Sequence, residues 1–206
     1  MKAIPRLQVI TDETLQSRYT HAQLAKLIAT GGADAVQYRE KRALTTRELI
    51  DTGRAMLAAC GASTLIVDDR ADVALSVGAP AIHLGRNDLD VASARAILGN
   101  GAIIGGTANS YDEAARVWTT EVDYIGVGPI YGTTSKANPA PTMGLATLER
   151  ICADSPVPVV AIGSITAERI PEVMAHGAHG VAVLSYVVCS DDPTAATRLC
   201  ADACGL

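Results

Sequence analysis

Six residues carry the densest chemistry in this chain, Val36-Gln37-Tyr38-Arg39-Glu40-Lys41. The run begins in an extended apolar stretch, so a period of two puts Gln37, Arg39 and Lys41 on the face opposite Tyr38. Three polar groups on one face are costly in a dry core. If that face looks into an open mouth, Arg39 and Lys41 make a cationic wall suited to phosphate oxygens; otherwise they pair with Glu40 or other carboxylates. Two further apolar runs end in Asp68-Asp69-Arg70 and, a few residues on, in Asn87-Asp88. Carboxylates at neighbouring strand tips could hold Mg²⁺, which takes one or two carboxylates together with water and substrate phosphate. Asp is also the ordinary helix cap, so the pair gains meaning from the cations beside it. Arg, Lys and two carboxylates at one rim suit a magnesium diphosphate.

The stretch from Gly128-Pro129 to Gly144 is far longer than an ordinary strand-to-helix turn. Within it Thr133, Thr134 and Ser135 supply hydroxyls and Lys136 a charge, a set that can grip phosphate; a solvated loop is the simpler alternative. Gly163-Ser164 and Leu184-Ser185 follow the last two apolar runs, where backbone N–H groups commonly bind a monophosphate. His83 lies inside an apolar run, as a proton-transfer group or a hydrogen-bonded core histidine. His176, His179, Trp118 and the Cys200/Cys204 pair read as structural.

These residues need a scaffold that brings strand ends together. Eight β-branched runs alternate with alanine-rich stretches of helical period: 7–11, 35–40, 64–69, 81–85, 103–107, 124–128, 157–163 and 180–185. Capping-box spacing marks helix starts at Thr20/Gln23, Thr45/Glu48 and Ser110/Glu113, and Asp192 precedes Pro193. Strand then helix, repeated at about 26 residues per unit, predicts a parallel sheet closed into a (β/α)8 TIM barrel, residues 1–206 forming one domain. An open doubly wound sheet is the runner-up, weakened by the lack of Gly-x-Gly-x-x-Gly after the first run.

Composition narrows the field further. The chain has 206 residues, net charge −5, 3% aromatics with no Phe, and 18 Gly. An acidic chain with few aromatic rings lacks the basic stripe and stacking platform of a nucleic-acid binder. No apolar run reaches the roughly 20 residues of a membrane span. Five cysteines, odd in number and without the paired spacing of a zinc site, read as reduced thiols, which with the absence of a signal-peptide pattern predicts a cytoplasmic protein acting on small molecules, with room for a homo-oligomer.

Several motifs in order carry a family resemblance. Gln37-Tyr38-Arg39-Glu40-Lys41, Asp69-Arg70 with Asp72-Val73-Ala74, Ile82-His83-Leu84-Gly85 with Asp88, and Gly126-Val127-Gly128-Pro129-Ile130-Tyr131 with Thr133, Ser135 and Lys136 resemble the thiamine-phosphate synthase family over nearly the whole chain. The resemblance implies a Mg²⁺-dependent transferase of thiamine biosynthesis that joins hydroxymethylpyrimidine diphosphate to hydroxyethylthiazole phosphate. It further implies that Gln37 contacts the aminopyrimidine, that Arg39, Lys41 and Lys136 hold the diphosphate, and that Asp69 and Asp88 ligate Mg²⁺. Thr107 would sit beside pyrimidine and diphosphate, Thr133 and Ser135 would touch the thiazole, and Gly163, Leu184 and Ser185 would donate to its phosphate. Arg39, Lys41, Thr107 and Lys136 are the residues expected to serve the chemistry.

Three positions depart from the family pattern: Asp68 replaces Asn, Ser164 replaces the second Gly of a pair, and Thr107 replaces Ser. Asp68, counted with the substrate-binding residues, could contact the metal or weaken anion binding. Two rival readings remain. A thiazole tautomerase on the same barrel would carry a His after the fifth run, where this chain has Thr107-Ala108-Asn109-Ser110. A catalytically lapsed thiamine-phosphate-binding regulator is the other. Lys136→Ala is expected to lower turnover on the order of a hundredfold, as loss of one electrostatic donor does; an unchanged single-turnover rate would remove Lys136 from the site.

Overall fold

The computed structural model describes residues 2–133 and 140–206. Eight parallel strands close into a barrel in chain order: β1 Leu7–Thr11, β2 Ala35–Tyr38, β3 Thr64–Asp68, β4 Ala81–Leu84, β5 Ile103–Ala108, β6 Tyr124–Val127, β7 Val159–Ile162 and β8 Gly180–Val183. Between and after them run α1 His21–Thr30, α2 Thr46–Ala59, α3 Ala71–Val77, α4 Val91–Leu98, α5 Tyr111–Val117, α6 Leu145–Asp154, α7 Ile170–Ala175, α8 Ser185–Val188 and α9 Pro193–Cys204. The (β/α)8 barrel expected from the alternation is therefore the observed fold, and the doubly wound alternative falls away because β1 pairs with β8 as well as β2.

The helix starts follow their capping chemistry. Thr20 with Gln23 and Thr45 with Glu48 form complete capping boxes, and Asp192 caps α9 through Ala195 N. At Ser110 only half the box exists. The Ser110 side chain accepts from Glu113 N, but the Glu113 carboxylate accepts from Asn109 N and Arg86 instead of reaching back to Ser110.

Most strands stop one or two residues short of the apolar runs that announce them, so Arg39, Asp69, Gly85, Gly128 and Gly163 stand beyond the ladder, on the rim. Asp69 turns there with φ 65°, a left-handed conformation that Asp tolerates better than most residues. After β8 the chain departs further from expectation, since Ser185 opens the short α8 instead of ending a strand.

The core has two compartments. Outward-facing strand residues such as Val9, Val36, Leu65 and Ile125 pack against Leu24, Ile28, Met56 and Leu148 of the helices. Inside the barrel, Ile10, Tyr124, Val160 and Ala182 form one cluster, and Ala35, Ile66 and Ala81 another. Small inward residues such as Gly105 and Gly126 leave room for the rings of Tyr124 and His83, and aliphatic packing outside explains how the chain does without Phe. Cys200 and Cys204 are buried on the barrel-facing side of α9, and all five cysteines are free thiols. No helix of the described residues is long and apolar enough to cross a membrane.

Candidate active site

A cavity of about 410 Å³ opens at the C-terminal ends of the strands. Gln37, Arg39 and Lys41 line it from β2 and its exit, as the period of two predicts, while Tyr38 points outward against His21. Asp68, Asp69 and Asp88 line it from the tips of β3 and β4. Thr107 and Thr133 join from β5 and the loop after β6. Gly163, Leu184 and Ser185 close the side formed by β7 and β8. Residues from seven of the eight strand ends thus converge, although they are spread over about 150 positions of sequence. Ser135 and Lys136 lie outside the described residues, as does Thr134.

The cations at the rim are held by carboxylates, one of them buried and two half-buried. Arg39 Nη1 pairs with Asp12 Oδ2, and Asp12 is fully buried. The other oxygen of Asp12 accepts from Thr14 N at 2.7 Å, Thr14 Oγ1 at 2.6 Å and Leu15 N at 3.3 Å. Asp12 therefore belongs to a finished hydrogen-bond set whose product is a fixed guanidinium at the cavity wall. The sequence reading missed it, although Thr11-Asp12 ends β1 and the strand-tip rule that found Asp69 applies equally there.

Lys41 Nζ lies 2.5 Å from Asp69 Oδ2 and 3.3 Å from Asp68 Oδ2. Burial disfavours its charge, yet the two carboxylates outweigh burial and raise the Lys41 pKa. Burial pushes Asp68 up to about 7, with the Asp69 charge adding to the effect and Lys41 opposing it. Asp69 moves the other way: burial would raise it, and hydrogen bonding to Lys41 and Asp88 holds it below the usual carboxylate range. Asp88 is raised by burial first and by Asp69 next, and it accepts from Gly85 N at 2.9 Å. The bland alternative for Lys41, pairing with carboxylates, is thus realised together with the cavity-lining role.

Asp69 and Asp88 form a hard oxygen pair facing the cavity, close enough to share a hydrogen bond. Among the described residues no group of three or more His, Cys, Asp or Glu makes a closed metal cage. That donor chemistry fits Mg²⁺, which binds through few protein carboxylates when substrate phosphate and water supply the rest.

Glu40, between Arg39 and Lys41, faces away from the cavity toward Arg42 and His21. Burial would raise its pKa, but hydrogen bonds from Arg42 override burial and bring it to about 2. His21 is lowered by burial, with Glu13 and Glu40 opposing. A depressed carboxylate stabilises the fold above its unfolded pKa and loses that contribution as pH falls through the folded value. Glu40→Gln is therefore expected to lower stability at pH 7, with the gap to wild type narrowing between pH ~4.5 and ~2. Urea denaturation across that window measures it, and a gap independent of pH would contradict the pairing.

Ser164 keeps the left-handed backbone that Gly would adopt there, at φ 49°, and its Oγ donates to Gly132 O at 3.0 Å. The hydroxyl thus ties the turn after β7 to the loop after β6. Arg70 leaves the cavity altogether and pairs with Asp72 on the exterior. His176 and His179 bond to backbone carbonyls of Glu172 and Ile4, away from the cavity, and Trp118 packs on Tyr111.

A barrel whose strand-end cavity pairs fixed cations with hard carboxylates has the architecture of an enzyme that handles phosphorylated small molecules. Residues 7–187 match the family model described as thiamine monophosphate synthase, and the chain belongs to that family. A thiamine-phosphate synthase of Salinibacter ruber is 44% identical over 197 residues, covering 95% of this chain and 87% of the relative. One from Methanoculleus marisnigri is 44% identical over 194 residues, 93% of this chain and 92% of the relative. The solved thiamine phosphate pyrophosphorylase of Pyrococcus furiosus superposes with TM-score 0.88 at 33% identity, covering 97% of this chain and 95% of that one. A 3-hexulose-6-phosphate synthase shares the fold alone, with TM-score 0.69 at 18% identity.

Proposed function

We propose that this protein is a thiamine-phosphate synthase, transferring the hydroxymethylpyrimidine group from its diphosphate to the nitrogen of hydroxyethylthiazole phosphate. Membership of the family supports this reading, and the observation that carries it is the convergence of Arg39, Lys41, Asp69 and Asp88 on one cavity. Neither the tautomerase nor the lapsed regulator has a comparable observation in its favour.

In the proposed reaction the carbon–oxygen bond to the diphosphate breaks first and the electron pair leaves with the diphosphate. The thiazole nitrogen then donates its lone pair to the exposed methylene carbon, forming the carbon–nitrogen bond. Negative charge grows on the leaving group, so Arg39 and Lys41, with Lys136 from the loop, stabilise the transition state by position and charge. Because Asp12 already holds Arg39 in place, its charge needs little reorganisation during the reaction. Asp69 and Asp88 would hold Mg²⁺, which neutralises phosphate charge when bound. Gln37 would orient the pyrimidine, while Gly163, Leu184 and Ser185 would take the thiazole phosphate at the far side. Asp68, beside Lys41, would face the diphosphate or the metal. The described residues place no serine or cysteine nucleophile beside a base in this cavity, and this chemistry requires none.

Both substrates with Mg²⁺ should give thiamine phosphate, read by thiochrome fluorescence, and EDTA should abolish the signal. Isomerised thiazole without coupling would support the tautomerase instead, and binding without turnover the lapsed enzyme.

A further inference from the structure

Beneath the cationic rim, side chains from four strands form one hydrogen-bonded line. Gln8 Nε2 donates to the Pro5 carbonyl at 3.4 Å, and the Tyr124 hydroxyl donates to Gln8 Oε1 at 3.3 Å. The same hydroxyl lies 3.0 Å from His83 Nδ1, and His83 Nε2 lies 2.8 Å from Thr107 Oγ1. Two glycines make the line possible. In the strand register Gly105 sits beside both His83 and Tyr124, and Gly126 beside Thr107. A methyl group on Gly105 would come 2.2 Å from Tyr124 Cζ, and one on Gly126 would come 2.8 Å from His83 Cε1. The barrel interior is thus cut to admit these two rings.

The line has a sense, set at its buried end. A proline carbonyl can only accept, so it fixes the Gln8 amide with nitrogen toward Pro5 and oxygen toward Tyr124. Tyr124 has one proton to give and gives it to Gln8; burial raises its pKa and keeps that proton in place. Its oxygen must then accept from His83 Nδ1–H. In a neutral imidazole this leaves Nε2 as an acceptor, and the proton that meets it comes from Thr107. Thr107 Oγ1, at the cavity wall, has only lone pairs left to present.

We propose that the Pro5–Gln8–Tyr124 chain holds His83 as its Nδ1–H tautomer, and that His83 is a positioning residue turning Thr107 into a hydrogen-bond acceptor for an N–H donor on the substrate. The substrate part rests on the reading above, in which the aminopyrimidine supplies that donor. As the diphosphate leaves, positive charge spreads onto the ring and its amine becomes a better donor, so the bond to Thr107 strengthens in the transition state. Loss of the arrangement therefore falls on kcat more than on KM.

Histidine-¹⁵N-labelled full-length protein tests the tautomer without any substrate. Long-range ¹H–¹⁵N spectra, with His83 assigned by its loss in His83→Gln, should show Nδ1 protonated and Nε2 unprotonated; a proton on Nε2 overturns the proposal. Tyr124→Phe keeps the ring against Gly105 and removes the acceptor for Nδ1–H. It should mix the two tautomers and lower kcat on the order of tenfold, the worth of about one hydrogen bond, with KM nearly unchanged. His83→Gln, whose carbonyl can still accept from Thr107, should retain several times the kcat of His83→Leu; equal rates in the two variants overturn the positioning role. If thiamine phosphate forms while Nε2 carries the proton, this inference fails and the function stands. If the tautomer is as stated and no product forms, the acceptor role falls with the function.

Discussion

Asp12→Ala is expected to destabilise the protein by about 3–5 kcal/mol, the range for breaking one side of a buried ion pair. The Asp12 carboxylate is fully buried and accepts from Arg39, two backbone N–H groups and the Thr14 hydroxyl. Alanine leaves those donors without their acceptor and frees the Arg39 guanidinium from its fixed direction. Urea denaturation at pH 7 measures the first effect, and a loss below about 1 kcal/mol would mean that Asp12 is only a surface-type partner. Asp12→Asn separates the two consequences. Its amide can still accept from Thr14 and Leu15 but carries no charge for Arg39, so it should recover part of the stability and little of the activity.

Lys41→Ala is expected to lower single-turnover product formation by on the order of 10²–10³, the range for removing one preorganised electrostatic group. Two terms act in the same direction. One cation facing the leaving group disappears, and Asp68 and Asp69 lose the charge that lies 3.3 and 2.5 Å from them. With Lys41 gone, those carboxylates repel an incoming diphosphate. Lys41→Arg should restore binding more than turnover, because a planar guanidinium places its charge differently from a compact ammonium. Rapid-quench measurement on both variants gives the answer, and a rate within threefold of wild type in Lys41→Ala would exclude Lys41 from the transition state.

How legible these features are in the sequence depends on how local their causes are. The barrel was readable because strand and helix periods and the capping boxes at Thr20 and Thr45 are local signals, each decided within a few residues. Gln37, Arg39 and Lys41 were readable for the same reason, since alternation along one strand decides which face they share. The Arg39 partner was not, because Asp12 lies 27 positions away and only the register of β1 against β2, in which Thr11 meets Tyr38, brings it alongside. The line from Gln8 to Thr107 is less legible still. It spans 116 positions and depends on which way an amide and a hydroxyl point, a question posed only once Gly105 has let Tyr124 lie across the barrel. Strand ends were misjudged where polar tips continue an apolar run, as at Asp69 and Ser185, because leaving the ladder is decided by neighbouring strands and not by the residue itself.

The proposed transfer is tested most directly by a single turnover with enzyme in excess over hydroxymethylpyrimidine diphosphate, thiazole phosphate and Mg²⁺ present, quenched and assayed for both products. A site built from Arg39, Lys41, Asp69 and Asp88 around a departing diphosphate predicts thiamine phosphate and diphosphate in equal amounts, both suppressed by EDTA. Isomerised thiazole, or neither product under saturating metal and substrates, would contradict it.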